Sequence, residues 1–382
     1  MLARGIFGSD HDIFREAATT FVDRAIMPRM DEIAQLHHHP RDLWLEAGAQ
    51  GFLGLEVPAA YGGGEAGDYR FNAAFAEELS RASLATASAF SIHVDICAPY
   101  MVELTTPEQK ERWLPGFCSG ELITAIAMTE PSGGSDLAAL KTTAVRDGSD
   151  WIINGSKTFI TNGSTADLVI VAARTSPEKG AKGISLFAVE RGTPGFDPGR
   201  VLDKIGQPEA DTAELFFNDV RIPEDNLIGE LDRGFVHMMQ NLAQERLNGA
   251  VSNIAHARII LDETLSYVKE RTAFGKPVGS FQHNAFLLAD LVTRAEVTQA
   301  YIDQQILTHN RGELTATDAA KAKWWSADVQ GQILDGCVQL HGGYGYMREY
   351  RVARAWADAR VTRIWAGSNE IMKLLISRDL GL

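Results

Sequence analysis

The spacing of apolar residues divides the chain into three parts. From residue 1 to about residue 124, apolar side chains recur every three or four positions, as along one face of an α-helix. The first of these faces comprises Phe14, Ala17, Phe21, Val22 and Ala25. Thr106-Pro107-Glu108-Gln109 has the composition of a helix start, with proline in the first position and an acid in the first turn. A helical domain is therefore predicted for residues 1–124.

Between residues 125 and 232 the apolar residues instead form short runs separated by turn residues, which is typical of β-strands. The clearest runs are Leu168–Val171, Ile184–Val189 and Ala213–Phe217. Asn154-Gly155 lies between two further runs and predicts a β-hairpin, because both residues tolerate a positive φ. Strands do not alternate with helical segments here, so we predict a small antiparallel β-barrel or sandwich for residues 125–232.

Helical spacing returns after Gly234, where Pro277 is the only proline. Two apolar stripes are visible: Leu247, Ala250, Ile254, Leu261, Leu265 and Val268, then Phe281, Ala285, Leu288, Val292 and Ala295. Thr315 with Asp318 resembles the capped start of a third helix. Long helices joined by short connections predict a four-helix bundle for residues 233–382. The predicted fold class is therefore mainly α with a central β domain.

Composition limits the partners and the compartment. Lys and Arg number 36 against 50 Asp and Glu, a formal net charge of −14, which argues against nucleic acid and anionic membranes as partners. Cys97, Cys118 and Cys337 are too widely spaced for a disulfide framework or a metal cluster and fit a reducing compartment. The sequence shows neither an apolar leader nor an apolar run of about 18 residues. We expect a soluble, cytoplasmic protein without a bound metal.

Two motifs suggest a ligand site but are better explained otherwise. Residues 62–67 satisfy G-x-G-x-x-G, yet helical sequence flanks them on both sides, whereas a dinucleotide motif joins a strand to a helix. A flexible loop near a ligand entrance is the preferred interpretation. His93, Asp95 and Cys97 alternate like metal ligands, but side chains at that spacing diverge on a helix. We therefore expect them to line a core or a pocket.

The strongest motif is the octapeptide of residues 129–136, in which Gly133 and Gly134 permit a tight turn. Free backbone N–H groups in such a turn suit an anion such as a phosphate. Together with Asn154-Gly155-Ser156-Lys157 and residues 159–163, the segment Ala127–Asp136 resembles the flavin-binding region of the acyl-CoA dehydrogenases. The resemblance covers essentially the whole chain. It implies a helix–strand–helix-bundle fold and FAD as the cofactor.

The resemblance implies two groups of FAD-binding residues. The first, around the flavin ring and the pyrophosphate, comprises Met128, Thr129, Gly134, Ser135, Phe159, Ile160 and Thr161. The second comprises Arg271, Phe274, Gln282, Gln339, Gly342, Gly343, Ser368 and Glu370, and its Arg271–Phe274 segment is the part that in the family reaches the flavin of a neighbouring subunit. Ser135 is also implied to reach the substrate. A site shared between subunits predicts a homo-oligomer, and the family form is a homotetramer.

The chain departs from the common family pattern at the catalytic base. Most relatives carry the base glutamate at the position of Ala366, and alanine cannot accept a proton. A minority, including long-chain and isovaleryl-type dehydrogenases, place it in a Gln-Glu-Arg-Leu pattern, which here makes Glu245 the implied base. Arg246 and Gly367 are implied to lie beside the substrate. The backbone N–H of residue 366 can still bind the thioester oxygen, because it does not depend on the side chain.

The resulting hypothesis is an FAD-dependent acyl-CoA dehydrogenase that delivers electrons to an electron-transfer flavoprotein, as the resemblance implies. Several alternatives remain open. The acyl group could be carried by a carrier protein instead of CoA. The same fold could serve a flavin oxidase or a monooxygenase. The loss of acid at Ala366 also allows an inactive enzyme or a non-catalytic subunit, although the retained Arg271 and Gln339 argue against the latter.

Overall fold

The computed structural model describes residues 4–382, and its first third is helical, as predicted. The helices are α1 (Ser9–Phe21), α2 (Met30–Leu36), α3 (Arg41–Ala49), α4 (Arg70–Ala82), α5 (Leu84–Ser91), α6 (Ala98–Glu103) and α7 (Pro107–Ser119). The predicted start of α7 is confirmed, because the side chains of Thr106 and Gln109 each accept a hydrogen bond from the other residue's backbone N–H. A π-helical segment, Ile92–Cys97, connects α5 to α6.

The middle of the chain folds into an eight-stranded sheet. Its strands are β1 (Thr124–Ala127), β2 (Thr143–Asp147), β3 (Asp150–Thr161), β4 (Leu168–Arg174), β5 (Ile184–Glu190), β6 (Phe196–Val201), β7 (Thr212–Pro223) and β8 (Leu227–Ile228). The spatial order is β6-β7-β3-β2-β4-β5-β8, with β1 paired to β4. Within residues 4–382 this order does not close into a barrel. The β1–β4 pair is parallel, whereas the predicted sheet was wholly antiparallel.

The predicted hairpin at Asn154-Gly155 is wrong. β3 continues through both residues, and its register with β7 shifts between Ile153 and Gly155, which is a β-bulge. Gly155 has a φ of 151°, and a Cβ there would lie 2.5 Å from Oγ1 of Thr142. The glycine therefore serves a close backbone approach rather than a turn. The hairpin turn lies at Gly148 instead, where β2 ends and β3 begins.

The central strands are buried on both faces, which explains their nearly continuous apolar sequence. Alternate residues of β4 enter two different cores. Leu168, Ile170 and Ala172 pack with side chains of α7 such as Trp113 and Phe117. The opposite face of β4 packs within the sheet domain against residues such as Trp151 and Phe187. The sheet is therefore held firmly against the N-terminal helices.

Helices form the last third of the chain, as predicted. They are α8 (Gly234–Glu270), α9 (Gln282–Asn310), α10 (Ala316–His341), α11 (Arg351–Ala359) and α12 (Asn369–Asp379). A small hairpin, β9 (Thr272–Ala273) with β10 (Lys276–Pro277), joins α8 to α9. The stripe residues Leu247, Ala250 and Ile254 are fully buried, and α8 packs against α10 in the bundle and against α4, α5 and α6 in the N-terminal part. Residues on the first half of α8 therefore lie at the junction of two domains.

The structure also bears on the two discounted motifs. Residues 62–67 lie between a short 3₁₀ turn and α4, without a preceding strand. His93 and Cys97 are fully buried core residues, and both ring nitrogens of His93 are within hydrogen-bond distance of an oxygen, at Thr124 and Phe117. No group of three His, Cys, Asp or Glu side chains in residues 4–382 is arranged to hold a metal ion. No helix within that range has both the length and the apolar character to cross a membrane.

Candidate active site

Two segments of the first FAD-binding group meet where β1 ends. The backbone N–H of Thr158 donates to the carbonyl oxygen of Thr129 at 3.0 Å, so β3 lies directly beside the octapeptide turn. The register of β3 shifts again between Lys157 and Ile160, and Phe159 has a φ of 59°. This second bulge leaves the Phe159 ring 67% exposed, which is unusual for phenylalanine and leaves an aromatic surface open to a ligand.

A buried ion pair fixes the octapeptide turn to β3. Lys157, which is fully buried, donates from Nζ to Glu130 Oε1 at 2.9 Å and to the carbonyl oxygen of Met128 at 3.2 Å. The carboxylate of Glu130 also accepts the backbone N–H groups of Lys141 and Thr142 at 2.6 and 2.8 Å. These donors hold the pKa of Glu130 at about 2, although burial acts in the opposite direction. The turn is therefore held rigidly at both ends.

The turn offers donors that an anionic cofactor needs. The backbone N–H groups of Gly134 and Ser135 are exposed and donate no hydrogen bond to residues 4–382. Within the same part of the chain, the hydroxyls of Thr129 and Thr161 also make no hydrogen bond. Free N–H groups in a tight turn suit a pyrophosphate, and free hydroxyls beside an exposed ring suit a flavin. The first group of predicted residues therefore fits FAD.

The second predicted group is only partly brought together. Arg271, Gln339, Gly342 and Gly343 line one open cleft of about 610 Å³, between the end of α8 and the end of α10. The guanidinium of Arg271 lies 5.5 Å from the centre of the Tyr344 ring. Gln282 begins α9 next to the lining residues His283 and Asn284, but does not line the cleft itself.

Phe274, Ser368 and Glu370 lie outside this cleft. Phe274 stands at the tip of the β9–β10 hairpin with 95% of its surface exposed. Ser368 caps α12, where its hydroxyl accepts the backbone N–H of Ile371 at 3.4 Å, and Glu370 is exposed in the first turn of the same helix. Hydrogen bonding to Glu370 at the helix start lowers its pKa.

The predicted base belongs to a cluster of charged residues, which we call the base cluster: Glu245, Arg246 and Lys323. Glu245 is only partly exposed and accepts no hydrogen bond from residues 4–382. Burial raises the pKa of its carboxyl, while the nearby cations Arg246 and Lys323 act to lower it. The carboxylate also lies near α6, since it contributes to raising the pKa of Tyr100. Glu245 is thus an unpaired carboxylate at a domain junction.

Arg246 and Lys323 connect this carboxylate to the loop that carries Ala366. Nε of the buried Arg246 lies 3.5 Å from the carbonyl oxygen of Ala366. Nζ of Lys323 donates to the carbonyl oxygen of Gly367 at 2.6 Å. Positions 245 and 366, which are 121 residues apart in sequence, are therefore brought to the same region by α8 and α10.

The loop itself has an unusual backbone. Ala366 and Gly367 have φ angles of 52° and 85°, and alanine rarely adopts such a conformation. The backbone N–H of Ala366 donates no hydrogen bond to residues 4–382, so it is free to bind a ligand oxygen. A Cβ at position 367 would lie 2.5 Å from the end of the Met372 side chain.

A second buried acidic group lies on the other side of α8, and we call Glu56 and Asp95 the acid pair. The side-chain amide of Asn72 donates to both, at 3.3 and 2.9 Å. Gln244 donates to Glu56 at 3.1 Å, and Asn248 donates to Asp95 at 2.6 Å. Burial raises the pKa of Glu56 to about 8 and that of Asp95 to about 7. Unlike Glu245, both acids accept hydrogen bonds from side-chain amides, Glu56 on Oε1 and Asp95 on both carboxyl oxygens.

Sequence reasoning missed the roles of Lys157 and Lys323. Lys157 belongs to the Asn154-Gly155-Ser156-Lys157 motif, but the local sequence pattern does not indicate that it is buried against Glu130. Lys323 precedes Trp324 on α10 and is 1% exposed. A lysine next to an apolar stripe usually extends to water, so only the three-dimensional packing reveals that this one is buried.

Comparisons with known proteins identify relatives of this chain. Family profiles described as acyl-CoA dehydrogenase N-terminal, middle and C-terminal domains match residues 8–121, 125–220 and 232–381. The chain is 46% identical over 379 residues to a mitochondrial long-chain specific acyl-CoA dehydrogenase of Sus scrofa, covering 99% of this chain and 88% of that protein. A solved acyl-CoA dehydrogenase from Geobacillus kaustophilus superposes with a TM-score of 0.97 at 43% identity, covering 100% of both chains.

A more distant neighbour was solved with a reduced cofactor. It is a glutaryl-CoA dehydrogenase from Mycobacterium smegmatis in complex with FADH2. Its TM-score is 0.92 at 26% identity, over 98% of this chain and 95% of that chain.

Proposed function

Because the chain belongs to the acyl-CoA dehydrogenase family, we propose that it converts an acyl-CoA thioester into the trans-2-enoyl thioester, with Glu245 removing the α-proton. The observation that carries the proposal is the meeting of the base cluster with the Ala366 loop. Alanine at 366 supplies no acid, and the one carboxylate of the base cluster comes from α8. A carboxylate whose pKa is raised by burial is a stronger base when ionised.

The chain also provides groups for the thioester oxygen. Negative charge develops on this oxygen when the α-proton leaves, and preorganised donors stabilise it. The free backbone N–H of Ala366 is the donor we assign to it, and Arg246 lies beside the same loop. Neither contact depends on an acidic side chain at position 366. The alanine substitution therefore removes the usual base without removing the donor.

FAD is the cofactor we propose, in line with the family. The octapeptide turn with Gly134 and Ser135 would hold its pyrophosphate, and Thr129, Phe159 and Thr161 would contact its ring. When bound, FAD would accept the hydride from the β-carbon. The rigid anchoring of the turn by Lys157 and Glu130 favours a site formed before the cofactor binds.

We further propose a homotetramer in which a neighbouring subunit completes the cofactor site, and an electron-transfer flavoprotein as the acceptor. Phe274 supports the first proposal, because a phenylalanine that is 95% exposed at a hairpin tip suits a protein or cofactor contact. The cleft with Arg271 offers a fixed fork of donors that suits a diphosphate.

The substitution Glu245→Gln tests the proposed base. The variant should assemble and bind FAD, because glutamine has nearly the same shape and Glu245 makes no hydrogen bond that would be lost. On anaerobic mixing with a panel of acyl-CoA thioesters, the flavin absorbance should decay more slowly than in the wild type by about 10³-fold or more. Asp262→Asn, an exposed acid further along α8 and outside both FAD-binding groups, is the control and should behave as the wild type. Unchanged decay in Glu245→Gln would exclude Glu245.

A further inference from the structure

Lys323 is buried, which is unusual for a lysine. It is 1% exposed, and burial of an ammonium group is unfavourable unless it is paired. Its hydrogen bonds go to the loop: Nζ donates to the carbonyl oxygen of Gly367 at 2.6 Å and lies 3.4 Å from Oδ1 of Asn369. A neutral residue of similar size could fill this space without the penalty. The positive charge of Lys323 therefore requires a functional explanation.

The surroundings of Lys323 belong to the base cluster. The charged groups that act on it are Arg246 and Glu245, both on α8, and Glu370 on α12. Glu245 in turn is acted on by Arg246 and Lys323. The ammonium group thus binds the Gly367 carbonyl of the donor loop at 2.6 Å and interacts electrostatically with the proposed base on α8. Arg246 contacts the Ala366 carbonyl, and Lys323 contacts the next one.

Resting on the proposed function of Glu245, we infer that Lys323 is a positioning residue with two tasks. It holds the Gly367 carbonyl so that the N–H of Ala366 stays directed at the thioester oxygen, and its charge keeps Glu245 ionised at working pH. The strained loop explains the first task, because Ala366 at a φ of 52° needs contacts that maintain it. The missing hydrogen bonds of Glu245 explain the second, because an unpaired buried carboxylate would otherwise hold its proton.

The two tasks predict a particular pH dependence. Turnover should rise as Glu245 loses its proton, and removing the neighbouring cation should move that acid-side midpoint to higher pH. Burial lowers the pKa of Lys323 to about 8, so the wild type should lose turnover as the lysine deprotonates on the alkaline side. An arginine stays charged throughout this range.

The test compares Lys323→Met, Lys323→Arg and the control Lys321→Met, using assembled, FAD-loaded protein and an acyl-CoA that the wild type oxidises. Lys321 is on the same helix and only pairs with Asp318 at the surface. We expect Lys323→Met to lower kcat about 10- to 100-fold with a smaller change in KM, as for other residues that orient a catalytic group. Its acid-side midpoint should rise by about one pH unit.

Lys323→Arg separates charge from a general loss of structure. It should keep the acid-side midpoint of the wild type and extend activity to higher pH, and this holds even if Lys323→Met does not fold. An acid-side midpoint in Lys323→Met equal to that of the wild type would overturn the inference, as would an alkaline decline in Lys323→Arg like that of the wild type. The outcome for Glu245→Gln distinguishes the two proposals. If that variant is active, the assignment of Glu245 as the base fails. If it is inactive, a negative result for the Lys323 variants overturns only the role of Lys323.

Discussion

The base cluster and the acid pair meet α8 at consecutive residues, yet their chemistry is opposite. Gln244 contacts the acid pair through its side-chain amide, and the next residue, Glu245, belongs to the base cluster. Both regions contain buried carboxyls with a raised pKa. In the acid pair, amides donate hydrogen bonds to both carboxyls, and the neighbouring charges that raise the pKa of Glu56 are acids. In the base cluster, the carboxylate accepts no hydrogen bond from residues 4–382, and two cations are nearby.

The difference shows how consecutive positions of one helix can contact a structural acid and carry the proposed base. An acid surrounded by amides and other acids is held neutral, and it links the N-terminal helices to α8. An acid with cations but no hydrogen bonds can ionise and is free to accept a proton. Burial alone therefore does not distinguish the proposed base from the acid pair. The charges and hydrogen-bond donors around each carboxyl do.

The largest effect is expected when the proposed base is moved from position 245 to position 366. Glu245→Gln removes the base, and adding Ala366→Glu should restore turnover by about tenfold or more over Glu245→Gln alone, because both positions face the same region. Stopped-flow measurement of flavin reduction with an acyl-CoA provides the rate. The matched control is Glu245→Gln with Ala366→Gln, which has the same shape but cannot take a proton. Equal rates in the two double variants would contradict the shared location.

A smaller effect, on stability alone, is expected at the acid pair. The pKa of Glu56 is about 8 in the folded protein and 4.5 ordinarily, so the folded state holds a proton that the unfolded state releases. This contribution is present below pH 4.5 and is lost as pH rises through 8. Glu56→Gln has no proton to lose, so it should be more stable than the wild type at pH 9 by roughly 4 kcal/mol and nearly equal at pH 5.

Thermal unfolding from pH 5 to pH 9 measures this difference, and turnover should stay within about twofold of the wild type because the acid pair takes no part in the chemistry. Glu111→Gln, at an exposed position on α7, is the control and should show a flat difference. A loss of turnover in Glu56→Gln comparable to that in Glu245→Gln would abolish the distinction between the two regions.

The smallest effect is expected at Ala366. If this position contributes only its backbone N–H, Ala366→Gly retains the donor and relieves a positive φ that disfavours alanine by roughly 1 kcal/mol. We expect a slightly higher melting temperature and turnover close to that of the wild type. Differential scanning calorimetry and steady-state assays measure the two quantities. A large loss of turnover would mean that the methyl group itself positions the substrate.

The sequence predicted the architecture well because the relevant signals are periodic. The stripe with Leu247 and Ile254 identified α8, and the short apolar runs identified β4 and β5. The hairpin at Asn154-Gly155 failed because a glycine that permits a turn also permits a bulge with close backbone approach, and the local sequence does not distinguish them. Tertiary pairing with β7 decided the outcome.

The candidate site was predictable only where a residue type itself carries the chemistry. The absence of acid at Ala366 and its presence at Glu245 are visible in the sequence, and the structure brings the two regions together. The acid pair and Lys323 were not predictable in this way. Their roles depend on burial between helices distant in sequence, where Glu56 meets Gln244 across 188 positions and Lys323 meets Gly367 across 44.

The most direct test of Glu245 is the exchange of the α-proton of a saturated acyl-CoA with solvent deuterium. Enzyme that is first reduced cannot accept hydride, so exchange followed by NMR reports proton removal alone. The wild type and Glu56→Gln should exchange the proton at the same rate, whereas Glu245→Gln should exchange it more slowly by about 10²-fold or more. Exchange in Glu245→Gln as fast as in the wild type would show that another group removes the proton.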